Sequence, residues 1–261
     1  MQAVDIDDVL MLKGAGCGAG VEGDPGFQEG NVCAGDGGGG VAESGLSAAS
    51  LEIAEKYKDE QAWNEPIQEM MEANGLTLED YQKVNDALYK HNLASGDQSD
   101  ELLTSLWESD EPEGRAMRVM SDWQEWQIEA TRERRKDNIE YDVEAVKKRV
   151  ERNRNDWAAS RGYFRDGEYF DTPDAYLAKL DAEVAGEKFF YRAGPLDKKA
   201  ISVTDDPDGA SSGASSTHYV PDRILSFTQM KEDGYRLLSG ARGMVGVTSA
   251  KEREFVWLKV E

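Results

Sequence analysis

Histidine, cysteine and clustered acidic residues are the side chains of this sequence that could do chemistry. The two histidines, His91 and His218, have no cysteine or further histidine around them at metal-ligand spacing. The two cysteines, Cys17 and Cys33, are too few for a disulfide framework or a zinc cluster. We therefore predict no metal site, and we interpret His91 as a helix-end residue and His218 as a loop residue.

Two short patterns resemble ligand-binding loops. Gly14-x-Gly16-x-x-Ala19 follows an apolar run like a dinucleotide-binding turn. The residues at 20–26 (GVEGDPG) cannot open the helix whose N-terminus would hold the pyrophosphate. The run at 205–209 (DDPDG) resembles a calcium loop, but the sixth residue after its glycine is Ser215 instead of the glutamate that an EF-hand requires. We interpret the first pattern as a linker and the second as an acidic turn, and we predict no cofactor.

A catalytic alternative lies in the last hundred residues. Tyr169, His218 and Asp222 are side-chain types that serve in acid–base catalysis. No Gly-x-Ser-x-Gly nucleophile elbow is present, and with 52 acidic residues close carboxylate pairs arise by chance. An enzyme with a site in 162–261 is therefore the alternative to a non-enzymatic protein.

The charge balance restricts the partners. The chain has 52 acidic and 30 basic residues, a formal net charge of −22, which repels nucleic-acid phosphates and anionic membranes. No apolar run approaches the roughly 20 residues that a membrane span needs. We therefore predict no dedicated nucleic-acid binding and no transmembrane segment.

Most of the other candidate functional residues lie on one long charged stretch, from Glu113 to Ser160. After Gly114 it contains neither glycine nor proline, the residues that most disfavour a helix interior. The first half has an apolar seam: Val119, Trp123, Trp126 and Ala130. The second half has another seam at coiled-coil core spacing: Ile139, Val143, Val146, Val150, Asn153 and Trp157. We predict one continuous helix over about 113–160 that packs against other protein.

Further features of this predicted helix indicate an interface. Trp123 and Trp126 lie beside an all-charged run at 132–137 (RERRKD), and helical aromatic residues are typical of core or inter-subunit packing. Arg132 and Arg135 are interpreted either as part of a solvated face or as a docking face for an acidic subunit. Asn153 is either the polar core position that sets the oligomeric state of a coiled coil or a residue at the wet edge of a helix.

Local signals define several shorter elements. Asn74-Gly75 is typical of a helix C-terminus, and Thr77 with Asp80 is typical of a capping box at the start of the next helix. Thr172-Pro173 combines a capping hydroxyl with proline at the first helical position. Strands are predicted around 201–203 and 255–260, and 189–191 (FFY) is interpreted as a short strand or an aromatic plug.

We therefore predict a mainly α protein: a helical bundle built on one long helix, with a flexible glycine-rich N-terminal arm and a small α+β C-terminal unit. The arm is assigned to residues 1–43, because 13 of the 26 glycines fall within 14–45. The helical domain is assigned to 44–161, with four short helices folded back along the long one. The α+β domain is assigned to 162–261 and includes an acidic, serine-rich loop at 205–217.

Two parts of the chain resemble structural proteins of tailed bacteriophages. Residues 50–66 (SLEIAEKYKDEQAWNEP) are similar to virion helices that place an aromatic–lysine pair before a proline-bent turn, and residues 123–163 resemble the long Arg/Lys/Glu helix that follows. The Gly/Ala-rich arm is similar to those of internal virion (ejection) proteins of short-tailed phages. The C-terminal unit departs from this pattern. The resemblance implies helical subunits that assemble with portal or tail components and carry no catalytic residue.

We therefore expect a non-enzymatic virion protein, an ejection-type or portal/tail connector component that is made in the host cytoplasm. It would form a homo-oligomer, with a ring as one arrangement, through 113–160, and would also bind other virion proteins. A scaffolding or head-assembly protein is the structural alternative. The expected interface comprises Trp123, Trp126, Arg132, Arg135, Ile139, Val143, Val146, Val150, Asn153 and Trp157. This expectation depends on 113–160 being one extended helix.

Overall fold

The structure is a computed structural model, and it describes residues 45–58, 65–93, 97–157, 163–165, 168–192, 194–207, 223–239 and 254–260. The glycine-rich arm, the dinucleotide-like turn and most of the 205–217 loop lie outside the described residues. Helices account for about 61% of the residues that are described. The coarse prediction of a mainly helical chain with a small β component is therefore confirmed.

Ten helices are seen in the described part of the chain. Four precede the charged stretch: α1 (Ala48–Lys56), α2 (Glu65–Ala73), α3 (Leu78–Leu93) and α4 (Asp97–Glu108). Four more fall within or next to that stretch: α5 (Pro112–Ala130), α6 (Arg132–Asp137), α7 (Val143–Arg152) and α8 (Arg154–Trp157). The last two are α9 (Pro173–Val184) and α10 (Phe227–Glu232).

The prediction of one continuous helix over 113–160 is wrong, because short polar residues interrupt it. The Thr131 hydroxyl donates to the carbonyl oxygen of Gln127 at 2.8 Å, a bond that competes with the regular helix, and α5 ends there. The backbone leaves the helix again at Asn138, and the Asp142 carboxylate then accepts from the Ala145 N–H at 3.1 Å and caps α7. Asn153 forms the last break, between α7 and α8. The absence of glycine and proline is therefore not sufficient to keep a helix continuous.

The predicted caps at the shorter helices are confirmed. The Thr77 N–H donates to Asp80 Oδ2 at 2.9 Å and the Asp80 N–H donates to Thr77 Oγ1 at 3.2 Å, which is a reciprocal capping box at α3. Gly75 has a φ of +65° and ends α2 as predicted. Thr172 caps α9, accepting from the Ala175 N–H at 3.1 Å, with Pro173 at the first helical position.

Two antiparallel sheets are described. A hairpin pairs β1 (Tyr163–Arg165) with β2 (Glu168–Phe170). Five further strands form the second sheet: β3 (Phe189–Arg192), β4 (Ala200–Thr204), β5 (Arg223–Ser226), β6 (Tyr235–Ser239) and β7 (Glu254–Lys259). Its strand order is β5-β3-β4-β7-β6, with Ile201 opposite Trp257 and Phe190 opposite Leu225. The strands predicted around 201–203 and 255–260 therefore lie in one sheet, and 189–191 is a strand of the same sheet.

The larger sheet has an apolar layer on each face. Ala200, Leu238, Val256 and Leu258 point to one face and share a buried cluster with Met117 and Met120 of α5 and with α1–α4. Phe190, Ile201, Val203, Leu237 and Trp257 belong to the cluster on the other face, with Phe227 and Met230 of α10. The segments assigned to separate domains at 161/162 thus share a core, and residues 41–261 form one compact unit.

Candidate functional site

The second half of the predicted seam packs inside its own chain. Val150 and Trp157 are buried in a small cluster with Phe170 of β2 and Tyr176 of α9, and Val146 packs against it. The Trp157 indole N–H donates to the Phe170 carbonyl oxygen at 3.1 Å, and the Phe170 and Tyr176 rings meet edge to face at 4.9 Å. These side chains hold α7 and α8 on the C-terminal part of the chain, so they do not form a free coiled-coil surface.

The remaining seam residues have different surroundings. Trp123 is buried in the helical core and Trp126 is half-buried against it. Ile139 and Val143 are half-buried. Asn153 is exposed at the C-terminus of α7, so it is not a polar core position. The structure therefore does not bring the predicted interface residues together on one outward face.

The basic run also turns toward its own chain. The Arg135 guanidinium donates to the carbonyl oxygens of Gly186 at 2.8 Å and Ile128 at 2.7 Å, and to the Thr131 hydroxyl at 2.9 Å. Arg132 lies 3.7 Å from the buried Glu187 carboxylate. These contacts fix the α5–α6 junction on the turn after α9. Burial lowers the pKa of Arg135 below its ordinary value, and Glu187 opposes that shift.

Close approach at this junction requires glycine at position 186. Gly186 has a φ of +82°, and a Cβ atom there would lie 2.6 Å from the Arg132 carbonyl oxygen. Gly75 has a similar φ of +65° but nothing within 4 Å of such an atom.

We expect Gly75→Ala to cost about 1 kcal/mol of unfolding free energy for the backbone conformation. Gly186→Ala should cost at least about 2 kcal/mol, because the clash adds to the same backbone term. Urea unfolding of the two variants measures the difference, and equal losses would show that α6 does not pack tightly on this turn.

A buried ion cluster joins α5 to the edge of the larger sheet. Glu125 is only 3% exposed, and its Oε1 accepts from Arg236 Nε at 2.9 Å and from the Leu237 backbone N–H at 3.0 Å. Lys231 approaches Oε2 at 3.3 Å, and Arg236 also pairs with Asp122. Burial raises the pKa of Asp122 above its ordinary value, and Arg236 opposes the shift. β6 is an outer strand of the described sheet, and the N–H groups on the outer side of such a strand can pair with another strand. By accepting from the Leu237 N–H, Glu125 prevents that pairing at this position.

A second buried cluster joins β2 to α9 and is the described group that most resembles a catalytic site. Lys179 Nζ lies 2.8 Å from Glu168 Oε2 and also pairs with Glu183, which accepts from the Tyr141 hydroxyl at 2.5 Å. Three aromatic rings surround the amine with centroids at 5.2–5.9 Å, those of Phe170, Phe189 and Tyr191. Burial raises the pKa of Glu168, and burial together with the Glu168 charge raises the pKa of Tyr191. Carboxylates and rings thus enclose the amine, an arrangement that connects two elements and does not present the amine to a substrate.

The residues of the catalytic alternative are only partly described. Tyr169 is 39% exposed on β2, whereas His218 and Asp222 lie outside the described residues. Among the residues that are described, no group of three or more His, Cys, Asp or Glu side chains is placed to hold a metal ion. Of the calcium-like run, Asp205 pairs with Lys188. Of Tyr169, His218 and Asp222, the structure therefore places only Tyr169.

Two outward helix faces carry opposite charge. On α4, Leu103 is buried and the Asp100 carboxylate accepts from the backbone N–H groups of Lys199 at 2.8 Å and Ala200 at 3.3 Å. The opposite face of α4 is exposed, and we call it the acidic stripe: Glu101, Leu102, Ser105 and Glu108. On α7, Val150 faces inward and Lys147 pairs with Asp181 at 2.6 Å. On its exposed side we call four residues the basic stripe: Ala145, Lys148, Arg149 and Arg152; Glu144 and Glu151 are exposed along one edge of it. Both helices are therefore held in place by one face and leave a charged face open.

Sequence reasoning did not identify these stripes. In the sequence, Leu102 lies beside Leu103, Leu106 and Trp107 like a member of one apolar helix side, yet it is 36% exposed. The signal that could have identified the acidic stripe is the run from Asp97 to Gly114, which has seven acidic residues and no basic one. The sequence alone does not distinguish Lys148, Arg149 and Arg152 from neighbouring basic residues such as Lys147 and Arg154, which pair within the chain.

Comparison of the chain with protein-family models, with curated proteins and with solved structures finds no match. Among the helices that the structure describes, none combines the length and the apolar character that crossing a membrane requires. The function is therefore inferred from the chain's own residues.

Proposed function

We propose that this chain is a non-enzymatic structural protein that acts by assembling with other protein. In the form that the sequence resemblance suggests, it is a virion component of a tailed phage, of the ejection type or a connector between portal and tail. The assembly does not use a single long helix, because the stretch at 113–160 is broken and much of its seam is buried. The surfaces for assembly are instead the exposed charged faces of shorter helices.

The observation that carries the proposal is that each buried carboxylate joins two elements of the fold. Glu125 joins α5 to β6, and Glu168 joins β2 to α9. The Glu187 carboxylate accepts from the Thr228 N–H at 3.1 Å and from its hydroxyl at 2.7 Å, which joins the turn after α9 to α10. An enzyme keeps its reactive carboxylates open to substrate in a cleft. Here they hold elements together, as expected of a protein whose task is to keep a shape.

Mass spectrometry of phage particles made in a host that expresses the chain tests this proposal. We expect its peptides in purified mature particles at a constant ratio to the portal protein. Detection in immature heads but not in mature particles would favour the scaffolding alternative. Absence from both kinds of particle would overturn the virion role.

A further inference from the structure

The acidic and basic stripes match in length as well as in charge. Each spans eight residues along its helix, from Glu101 to Glu108 on α4 and from Ala145 to Arg152 on α7. The seven residue-to-residue steps rise about 10 Å along a helix axis, so the two charged faces have the same extent. Lys148, Arg149 and Arg152 form no ion pair with an acidic residue in the part of the chain that the structure describes, whereas their neighbours Lys147 and Arg154 pair with Asp181 and Asp174. The basic stripe is thus a set of exposed charges that the fold leaves unused.

We propose that the basic stripe of one copy of this chain docks against the acidic stripe of a second copy. The inference rests on the proposed assembly role and names the surfaces that carry it. Because the two stripes are different patches on one chain, the contact is head-to-tail: one copy keeps its acidic stripe free and the other keeps its basic stripe free. Such a contact generates a ring when the rotation between copies closes and a filament when it does not.

Small side chains within the stripes favour close approach of the two helices. Ser105 near the middle of the acidic stripe and Ala145 at one end of the basic stripe are small, so the helix axes can come near each other. Leu102 is 36% exposed and provides an apolar surface for the methylene stem of an arginine or lysine. Glu101 and Glu108 lie at the two ends of the stripe, where the guanidinium and ammonium groups of the partner can reach them.

A second copy fits the basic stripe because the chain itself supplies the complementary surface. Between Asp97 and Gly114 there are seven acidic residues and no basic one. The net charge of −22 opposes association at long range, but this repulsion is screened by salt. The Debye length falls from about 30 Å at 0.01 M to about 8 Å at 0.15 M and about 3 Å at 1 M. Self-association should therefore be strongest near 0.15 M salt, where the distant charges are screened and the contact pairs are not.

Charge reversal on the two stripes tests the contact by sedimentation velocity of the full chain. The first variant is Lys148→Glu with Arg152→Glu, and the second is Glu101→Lys with Glu108→Lys. Each should weaken self-association by at least about tenfold, because like charges then face each other. A mixture of the two should regain association, since the unchanged stripe of each variant meets the unchanged stripe of the other. Circular dichroism checks that the variants fold, and Lys148→Gln with Arg152→Gln provides a milder version of the first.

The matched control is Arg115→Glu with Lys198→Glu, two exposed residues outside both stripes. It changes the net charge as much as the first variant does and should leave association unchanged. A wild-type chain that stays monomeric at all three salt concentrations would overturn the contact. So would stripe variants that associate like the wild type, or a mixture that does not recover. None of these results bears on detection of the chain in particles, so failure of the contact and failure of the virion role are distinguishable.

Discussion

Replacing Arg236 with methionine is expected to lower the free energy of unfolding by about 3 kcal/mol at neutral pH. The guanidinium is the main partner of Glu125, which is 3% exposed and cannot be solvated where it lies. Removing one partner of a buried ion pair costs about 3–5 kcal/mol, because the other charge stays buried. Glu125 would keep the Leu237 N–H at 3.0 Å and Lys231 at 3.3 Å, which places the loss at the lower end. The Trp107 ring, whose centroid lies 5.5 Å from the guanidinium carbon, would lose its cation contact as well.

Chemical denaturation followed by circular dichroism measures this loss. Arg223→Met is the matched control, since Arg223 is exposed and its Nε donates only to the Gly194 carbonyl oxygen at 3.3 Å among the described groups; it should cost less than about 1 kcal/mol. The double variant Glu125→Gln with Arg236→Met should be at least about 1 kcal/mol more stable than the sum of the single losses predicts, because neither charge is then left alone. Strict additivity would show that the two residues do not stabilise the fold as a pair.

The same variant should show a characteristic pH dependence. Burial already raises the pKa of Asp122, and Arg236 is the group that opposes the shift. Without Arg236 the folded-state pKa of Asp122 should rise further above its unfolded value. A carboxyl group with a raised folded-state pKa favours the folded state at low pH, and this advantage is lost as the pH rises through that pKa. The stability difference between Arg236→Met and the wild type should therefore shrink as the pH falls toward 4 and grow again toward neutrality.

The parts of the fold that follow from neighbouring residues could be predicted from the sequence. Thr77 with Asp80, Gly75, and Thr172 with Pro173 act through contacts a few residues apart, and the structure shows each of them in its predicted place. The same kind of local chemistry explains why the prediction of one continuous helix over 113–160 is wrong. Thr131 and Asp142 form side-chain bonds to nearby backbone groups, as they do at helix ends, and this outweighed the absence of glycine and proline.

The 4-3 periodicity of the seam correctly indicated a buried side of α7, but periodicity cannot say what covers it. Val150 and Trp157 are covered by Phe170 and Tyr176 of the same chain instead of by a second helix. The ion clusters were inaccessible to sequence reasoning for a related reason. Glu125 and Arg236 are 111 positions apart, and in a chain with 52 acidic residues nothing local marks that pair. The stripes can be recognised only in the structure, because it shows which of the other charged residues form ion pairs within the chain.

Replacing Leu258 with alanine tests whether the helices and the larger sheet unfold together. Leu258 is fully buried on β7 opposite Ala200 and belongs to the same cluster as Met117 and Met120 of α5. Truncating a buried leucine costs about 2–5 kcal/mol through lost burial and the cavity left behind. Because the cavity lies between the sheet and the helices, the loss should reach both of them.

Hydrogen exchange followed by mass spectrometry measures protection separately in α3, α5, β4 and β7. We expect Leu258→Ala to lower the protection of the slowest amides in all four elements by the same factor, since they exchange through one global opening. Val184→Ala is the control, because Val184 is 40% exposed on α9 and its truncation should leave protection unchanged. Loss of protection confined to β4 and β7 would show that the helical segment is stable without the sheet. Loss in all four elements would mean that the core helices and the larger sheet unfold as a single cooperative unit.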